Sequence, residues 1–228
     1  MRIHFIIHAG FEKAAHIATW AAENAFAVRY THLHKGETCP DIDDFDMLIC
    51  MGGPQSPSEI ERYPYLMDEI RLIREAIIQG KIVLGVCLGA QLIAESYGIM
   101  TEKSPNKEVG FFPVDFSDDR KQDPVFFDFP ASLTVGHWHN DMPGCPDSAV
   151  ILARSEGCPR QVIRFSPKVY GLQCHFELDS VTLRALIRHC PDDLLTGKYI
   201  QTAEEMLAVE LEPIQQYLST VLTRLSQL

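Results

Sequence analysis

Ile82-Val83-Leu84-Gly85-Val86-Cys87-Leu88-Gly89-Ala90-Gln91 is the stretch on which the architecture turns. Its first five residues are a short apolar run, as expected of a strand buried on both faces. Residues 88–98 read as a helix closed by Gly98. One cysteine stands at the junction, in the pattern Gly85-x-Cys87-x-Gly89. This is the strand–turn–helix nucleophile elbow with sulfur in place of oxygen. Small flanking residues permit a tight, strained turn that pushes the side chain out at the carboxyl edge of a sheet. The turn also sets the thiol at a helix N-terminus, whose partial positive charge favours the thiolate. The alternative is a buried structural cysteine, the commonest fate of a free one.

Working outward, the same alternation repeats. Residues 2–8 form an apolar strand, and 13–25 have helical spacing with Ala14, Ile17, Ala18, Ala21 and Ala25 in phase. Residues 26–33 read as a second strand, and 45–51 as a third, stopped by Gly52-Gly53-Pro54. Residues 58–79 predict a long amphipathic helix with Leu66, Ile70, Ile73 and Ile77 on one stripe and Gly80 as its stop. Strand and helix in this rhythm imply right-handed crossovers and a three-layer α/β fold, its mostly parallel sheet covered by helices on both faces. The middle of the chain differs. Short strands at 109–116, 133–138, 149–154, 160–166 and 169–175 are separated by Pro, Gly and Asp turns, a meander suited to extend the sheet at one edge. Helical patterns return at 179–189 and about 202–227. The expected organisation is a domain over residues 1–178 with a helical C-terminal extension, 179–228, packed on it.

Bulk properties narrow the function. Of 228 residues, 46% are hydrophobic and 22% charged, ordinary for a soluble globular chain with a sizeable core. Acidic residues outnumber basic ones 31 to 20, and the formal charge of −11 disfavours nucleic acid as a partner. The opening apolar run is too short for a signal peptide, and no stretch approaches a membrane span. Seven widely spaced cysteines without a CxxC pair argue against a disulfide framework and for a reducing cytoplasm.

Gly171-Leu172-Gln173-Cys174-His175-Phe176-Glu177 supplies the partners an elbow cysteine needs. Read as a strand, it sets His175 and Glu177 on one side, where a carboxylate can hold the imidazole's tautomer and orientation. A surface His and Glu at a strand end is the plainer reading. Gly52-Gly53 ends the strand before the elbow strand, and turns of this kind expose backbone N–H groups suited to an oxyanion. A plain tight turn would look the same.

Together, Met51-Gly52-Gly53-Pro54-Gln55-Ser56, the block Gly85–Gln91 and the block Gly171–Glu177 resemble the three signature blocks of class I glutamine amidotransferases. They are close to those of the glutaminase domain of GMP synthetase and its free-standing relatives, in the same order and spacing. The resemblance covers about residues 1–178. It implies a flavodoxin-like sheet, with Cys87 as nucleophile and His175 and Glu177 completing a triad. It further implies an oxyanion hole from the N–H groups of Gly53 and Leu88, and a glutamine pocket lined by Gln91. The stretch His137-Trp138-His139-Asn140-Asp141 is similar to the family's His-x-Asp segment, which places His139, Asn140 and Asp141 beside the substrate. No cofactor is implied. The His137-x-His139 spacing is a metal-ligand pattern, but with no third ligand in sight no metal is expected. Cys174 and Phe176 stand where the family usually has Phe and Pro, departures expected to bear on the pocket wall.

The resulting expectation is hydrolysis of the side-chain amide of L-glutamine through a γ-glutamyl thioester, releasing ammonia for a synthetase subunit. The chain itself shows no P-loop and no room for an ATP-pyrophosphatase module. A γ-glutamyl peptidase or hydrolase would use the same triad on another γ-glutamyl compound. A non-catalytic regulatory protein that kept the fold is the alternative of another class. The apolar C-terminal pattern leaves a homo-oligomer open as well.

Overall fold

The computed structural model describes all residues, 1–228. Nine strands form one sheet: β1 (Arg2–Ile7), β2 (Ala27–His32), β3 (Met47–Cys50), β4 (Ile82–Val86), β5 (Glu102–Phe116), β6 (Ser132–Met142), β7 (Val150–Arg154), β8 (Val162–Ser166) and β9 (Val169–Leu172). Six α-helices accompany them: α1 (Ala15–Glu23), α2 (Tyr65–Ile78), α3 (Leu88–Ser96), α4 (Ser180–His189), α5 (Ala203–Leu207) and α6 (Glu212–Leu225). The strand order is β2-β1-β3-β4-β9-β8-β7-β5-β6. Pairings from β2 through β9 are parallel, and those from β9 to β6 antiparallel. The sheet is therefore mixed. Its parallel half is the alternating N-terminal segment plus β9, and its antiparallel half is the meander.

Alternation along the strands divides the core. Ile3, Phe5 and Ile7 of β1, Met47 and Ile49 of β3, and Leu84 and Val86 of β4 join one apolar cluster, with Ile17 and Trp20 of α1 and Leu218, Val221 and Leu222 of α6. Ile6, Leu48, Cys50 and Val83 point the other way, against Leu66, Ile70 and Ile73 of α2 and Leu92 and Ile93 of α3. Helices thus cover both faces.

β5 and β6 run longer than expected, from Glu102 and to Met142, and three further elements differ. The helix expected over 58–79 begins only at Tyr65, because Pro64 cannot continue a helix from its N-terminal side and occupies the N-cap instead. The single helix expected over 202–227 is two, α5 and α6. Pro213 lies in the first turn of α6, and deeper inside a helix its ring would collide with the carbonyl of Val209. The strand expected over 169–175 ends at Leu172. His175 instead makes an isolated bridge to Gly136, with N–H···O distances of 2.7 and 2.9 Å.

The elbow is held by close approach. A Cβ on Gly89 would run into the Cys50 carbonyl of β3, and one on Gly85 into the backbone of Gly89. Helix α3 can rest on β3 and β4 only because both positions lack a side chain. Gly89→Ala is expected to lose about 2 kcal/mol or more of stability by urea unfolding, through overpacking against backbone that cannot yield. Gly10→Ala, where an added Cβ meets nothing within 4 Å, should stay within about 0.5 kcal/mol of wild type.

Candidate active site

Cys87 sits between β4 and α3 with φ of +50° and ψ of −107°, one of three non-glycine residues at positive φ. Its N–H donates to Leu172 O at 2.7 Å, and its carbonyl accepts from the N–H groups of Ala90 and Gln91 at 3.0 and 3.2 Å. These bonds fix the backbone on both sides of the strained residue. The side chain is thereby presented at the carboxyl edge of the parallel strands.

The bridge to Gly136 sets His175 beside Cys87. A Cβ on Gly136 would press on Leu178 and His175, so the glycine permits this approach. His175 Nδ1 donates to Glu177 Oε1 at 2.7 Å, which leaves Nε2 as the nitrogen beside the thiol. Both residues are buried. Burial pulls the His175 pKa down, but the Glu177 carboxylate and the Cys87 thiol outweigh it and hold the imidazole well above its ordinary range. The Glu177 segment is tied from two sides. Its carbonyl accepts the His16 N–H of α1 at 3.0 Å, and Leu178 O accepts Gln215 Nε2 of α6 at 2.8 Å.

A second buried histidine–carboxylate pair lies behind the glycine turn. His8 Nε2 donates to Glu69 Oε2 at 2.6 Å, and His8 Nδ1 donates to Gly52 O at 3.3 Å. Both ring nitrogens face acceptors. Burial alone would lower this pKa, yet the Glu69 carboxylate raises it overall, consistent with an imidazolium. The Gly52–Gly53 peptide is trans, so fixing the Gly52 carbonyl toward His8 directs the Gly53 N–H away from it. Neither the Gly53 nor the Leu88 N–H has a protein acceptor.

The sequence-selected residues converge on one cavity of about 300 Å³, lined by Gly53, Cys87, Leu88, Gln91, His139, Asn140, Asp141 and His175, with Glu177 directly behind. Gln91 is mostly withdrawn from it, donating to Gln173 Oε1 at 3.0 Å, and Gln173 in turn donates to Cys87 Sγ at 3.5 Å. Asp141 accepts from Ser56 Oγ at 2.8 Å and Lys103 Nζ at 2.6 Å. Cys174 and Phe176 do not form the pocket wall, contrary to expectation. Both side chains turn into the core beneath the sheet and neither lines the cavity.

Several lining residues escaped the sequence reading. Glu12, Trp138, Lys107, Cys190 and Asp193 all face the cavity. Asp193 accepts from Lys107 Nζ at 2.6 Å and Trp138 Nε1 at 2.8 Å, so the segment after α4, beyond the motif blocks, contributes to the wall. Of these only Trp138 carried a legible signal, between His137 and His139; Gln173, which bonds Cys87, also stood two residues before His175. Next to the cavity, Glu108 of β5 meets His137 and His139 of β6, a third candidate ligand that lay on another strand.

A mixed sheet with a cysteine elbow and a His–Glu pair at its carboxyl edge defines the broad class of α/β proteins built around a strand–turn–helix nucleophile turn. Comparison narrows it: residues 13–188 match the glutamine amidotransferase class-I family, and the chain belongs to that family. The glutamine amidotransferase-like protein YfeJ of Salmonella typhimurium is 39% identical, over 99% of this chain and 98% of its own. The crystal structure of SMU.1228c superposes with a TM-score of 0.95 at 45% identity, over 99% of this chain and 100% of that one. That of a glutamine amidotransferase from Thermotoga maritima gives 0.90 at 27% identity, covering 100% and 99%. No helix is long and apolar enough to cross a membrane.

Glu12 makes the site pH-sensitive. Burial lifts its carboxyl from 4.5 to about 7, more than the imidazoles of His175 and His8 pull it back. A raised carboxyl pKa means that the folded chain holds this proton more tightly than the unfolded one. Its contribution to stability is therefore complete below about 4.5 and lost as pH rises through about 7. Glu12→Gln is expected to gain stability relative to wild type between about pH 5 and about pH 8. Urea midpoints across that range test this, and a constant difference between the two proteins would contradict it.

Proposed function

We propose that the chain is a glutaminase acting through Cys87, His175 and Glu177, and that it passes ammonia to an acceptor reaction on another chain. The observation that carries this reading is the 2.7 Å bond from His175 Nδ1 to Glu177 with Nε2 left beside a strained elbow cysteine. The Cys87 thiolate attacks the side-chain carboxamide carbon of L-glutamine. The oxyanion is received by the free N–H groups of Gly53 and Leu88. His175 gives its proton to the leaving ammonia as the C–N bond breaks, and a γ-glutamyl thioester remains. Water then gives a proton to His175 and attacks the thioester, releasing glutamate and restoring the thiolate.

His8 and Glu69 act as positioning residues for this hole, since they hold the peptide whose far side carries the Gly53 N–H. The zwitterionic end of glutamine is matched by the Lys103–Asp141 pair at the cavity wall, with His139 and Asn140 beside it. Gln91 acts at one remove, through Gln173. The reading extends to a catalytic unit over 1–178, a helical extension over 179–228 that lends Asp193 to the wall, and a reducing cytoplasmic setting, which seven free cysteines suit.

Glutamate release from glutamine tests the proposal. Cys87→Ser and His175→Ala are each expected to lose at least about 10⁴-fold in kcat, and Glu177→Gln about 10–100-fold less than either, because orientation is lost while the base remains. A glutamine-like alkylating reagent should label Cys87 before the other six cysteines. Even labelling, or a Cys87→Ser enzyme that still turns over, would defeat the assignment. Glu69→Gln should lower kcat by about tenfold with a smaller change in KM, the signature of a loss confined to the transition state. An effect on KM alone would remove His8 and Glu69 from the positioning role.

A further inference from the structure

We propose that Glu108, His137 and His139 form a binding site for one divalent transition-metal ion, with zinc the ion that the donor set fits best. The site does not depend on Cys87 or the reaction, and shares only His139 with the cavity wall.

The geometry begins with strand pairing. His137 and His139 are two apart on β6 and share a face, and Glu108 of β5 is the register partner of His139. The outer nitrogen of each ring is committed to a main-chain carbonyl. His137 Nε2 lies 3.2 Å from Phe112 O, and His139 Nδ1 lies 3.1 Å from Asp141 O. A carbonyl only accepts, so each of these nitrogens carries the hydrogen. In the neutral rings the lone pairs are then on His137 Nδ1 and His139 Nε2, and both face the same carboxylate oxygen. Glu108 Oε2 lies 3.7 Å from the first and 3.2 Å from the second. His137 Nδ1 has no hydrogen-bond partner at all, and its side chain is fully buried.

As placed, the Gln161 amide nitrogen answers Glu108 Oε2 and His139 Nε2, but the His137 Nδ1 lone pair faces the carboxylate in a buried space with no donor, an unfavourable arrangement that a cation between them would relieve. A four-coordinate zinc ion with bonds of about 2.0–2.1 Å holds its ligand atoms roughly 3.3–3.5 Å apart. The donor atoms here, all within 4.8 Å of one another, need only a small adjustment to reach that spacing. Two imidazoles and a carboxylate suit zinc among the biological divalent ions, whereas magnesium and calcium prefer all-oxygen sets. The carbonyls of Phe112 and Asp141 behind the rings are outer partners of the kind that orient metal-ligating histidines, and Ser155 Oγ donates to Glu108 at 2.8 Å. A fourth donor is at hand. Gln161 Nε2 lies 2.7 Å from Glu108 Oε2 and 3.2 Å from His139 Nε2, while its Oε1 has no partner. Turning that amide over brings the free oxygen to the same point.

Cobalt(II) titration of chelator-treated protein tests the site, because the ion's visible bands report both coordination and ligand type. The expected result is one ion bound per chain, with intense d–d bands and no near-ultraviolet thiolate-to-cobalt band. Zinc should displace it and raise the melting temperature. Cys87→Ser should bind equally well. His137→Phe keeps an aromatic ring but removes the donor, and should lose about 100-fold or more in affinity while circular dichroism shows it folded. Absence of binding by wild type would overturn the proposal, whatever the variants do. A thiolate band, or equal binding by folded His137→Phe, would place the ion elsewhere and overturn it equally.

Discussion

The approach of Gly89 to the carbonyl of Cys50 is the contact on which the molecule is built. It lets the first turn of α3 lie against β3 and β4, and that seating drives Cys87 to positive φ. A lone strained residue costs on the order of 1–3 kcal/mol and would relax unless its surroundings left no alternative. Here they leave none. The Cys87 N–H is bound to β9, its carbonyl to the first turn of α3, and the apolar side chains of α3 are buried against α2 and the sheet. The thiol's position is thus set by backbone packing, and substrate has no part in arranging it.

Two histidine–carboxylate pairs flank that fixed point, and they differ in what they control. His175–Glu177 reaches the thiol itself, on a segment that β6, α1 and α6 all restrain. His8–Glu69 never reaches the cavity and acts through a peptide plane. Both pairs lie in low dielectric, where an ion pair is stronger and an unpaired charge is costly. Each therefore resists loss of one partner more than a surface pair would. Glu12 lies within reach of both and is the one nearby carboxyl that does not find a cation of its own.

The parallel half of the fold was legible because β1, β3 and β4 are short apolar runs and the helices between them show a stripe. The elbow was legible for the same local reason, whereas His175 and Glu177 meet beyond the end of β9, so their spacing pointed to the pair but not by the strand face expected of it. What the sequence concealed was distance. Glu108 and His139 are neighbours only through β5–β6 pairing, His8 and Glu69 only through the stacking of α2 on β1, and Asp193 reaches the cavity only because α4 returns across the sheet edge. The break between α5 and α6 did have a signal in Pro213, but the apolar periodicity on either side of it ran in phase and masked the interruption.

The position of β9 between β4 and β8 has a consequence for how the chain comes into being. Strands β1 to β4 and the elbow leave the ribosome as a contiguous piece, able to pair among themselves. The free edge of β4, however, waits for residues 169–172, and His175, the imidazole beside the thiol, follows directly after them. A nascent chain therefore carries Cys87 for more than a third of its length before the histidine that stands beside it is made. Assembly of the cavity beside Cys87 and closure of the sheet's exposed edge arrive in the same event, so a chain truncated before β9 lacks the one and is left prone to edge pairing by want of the other.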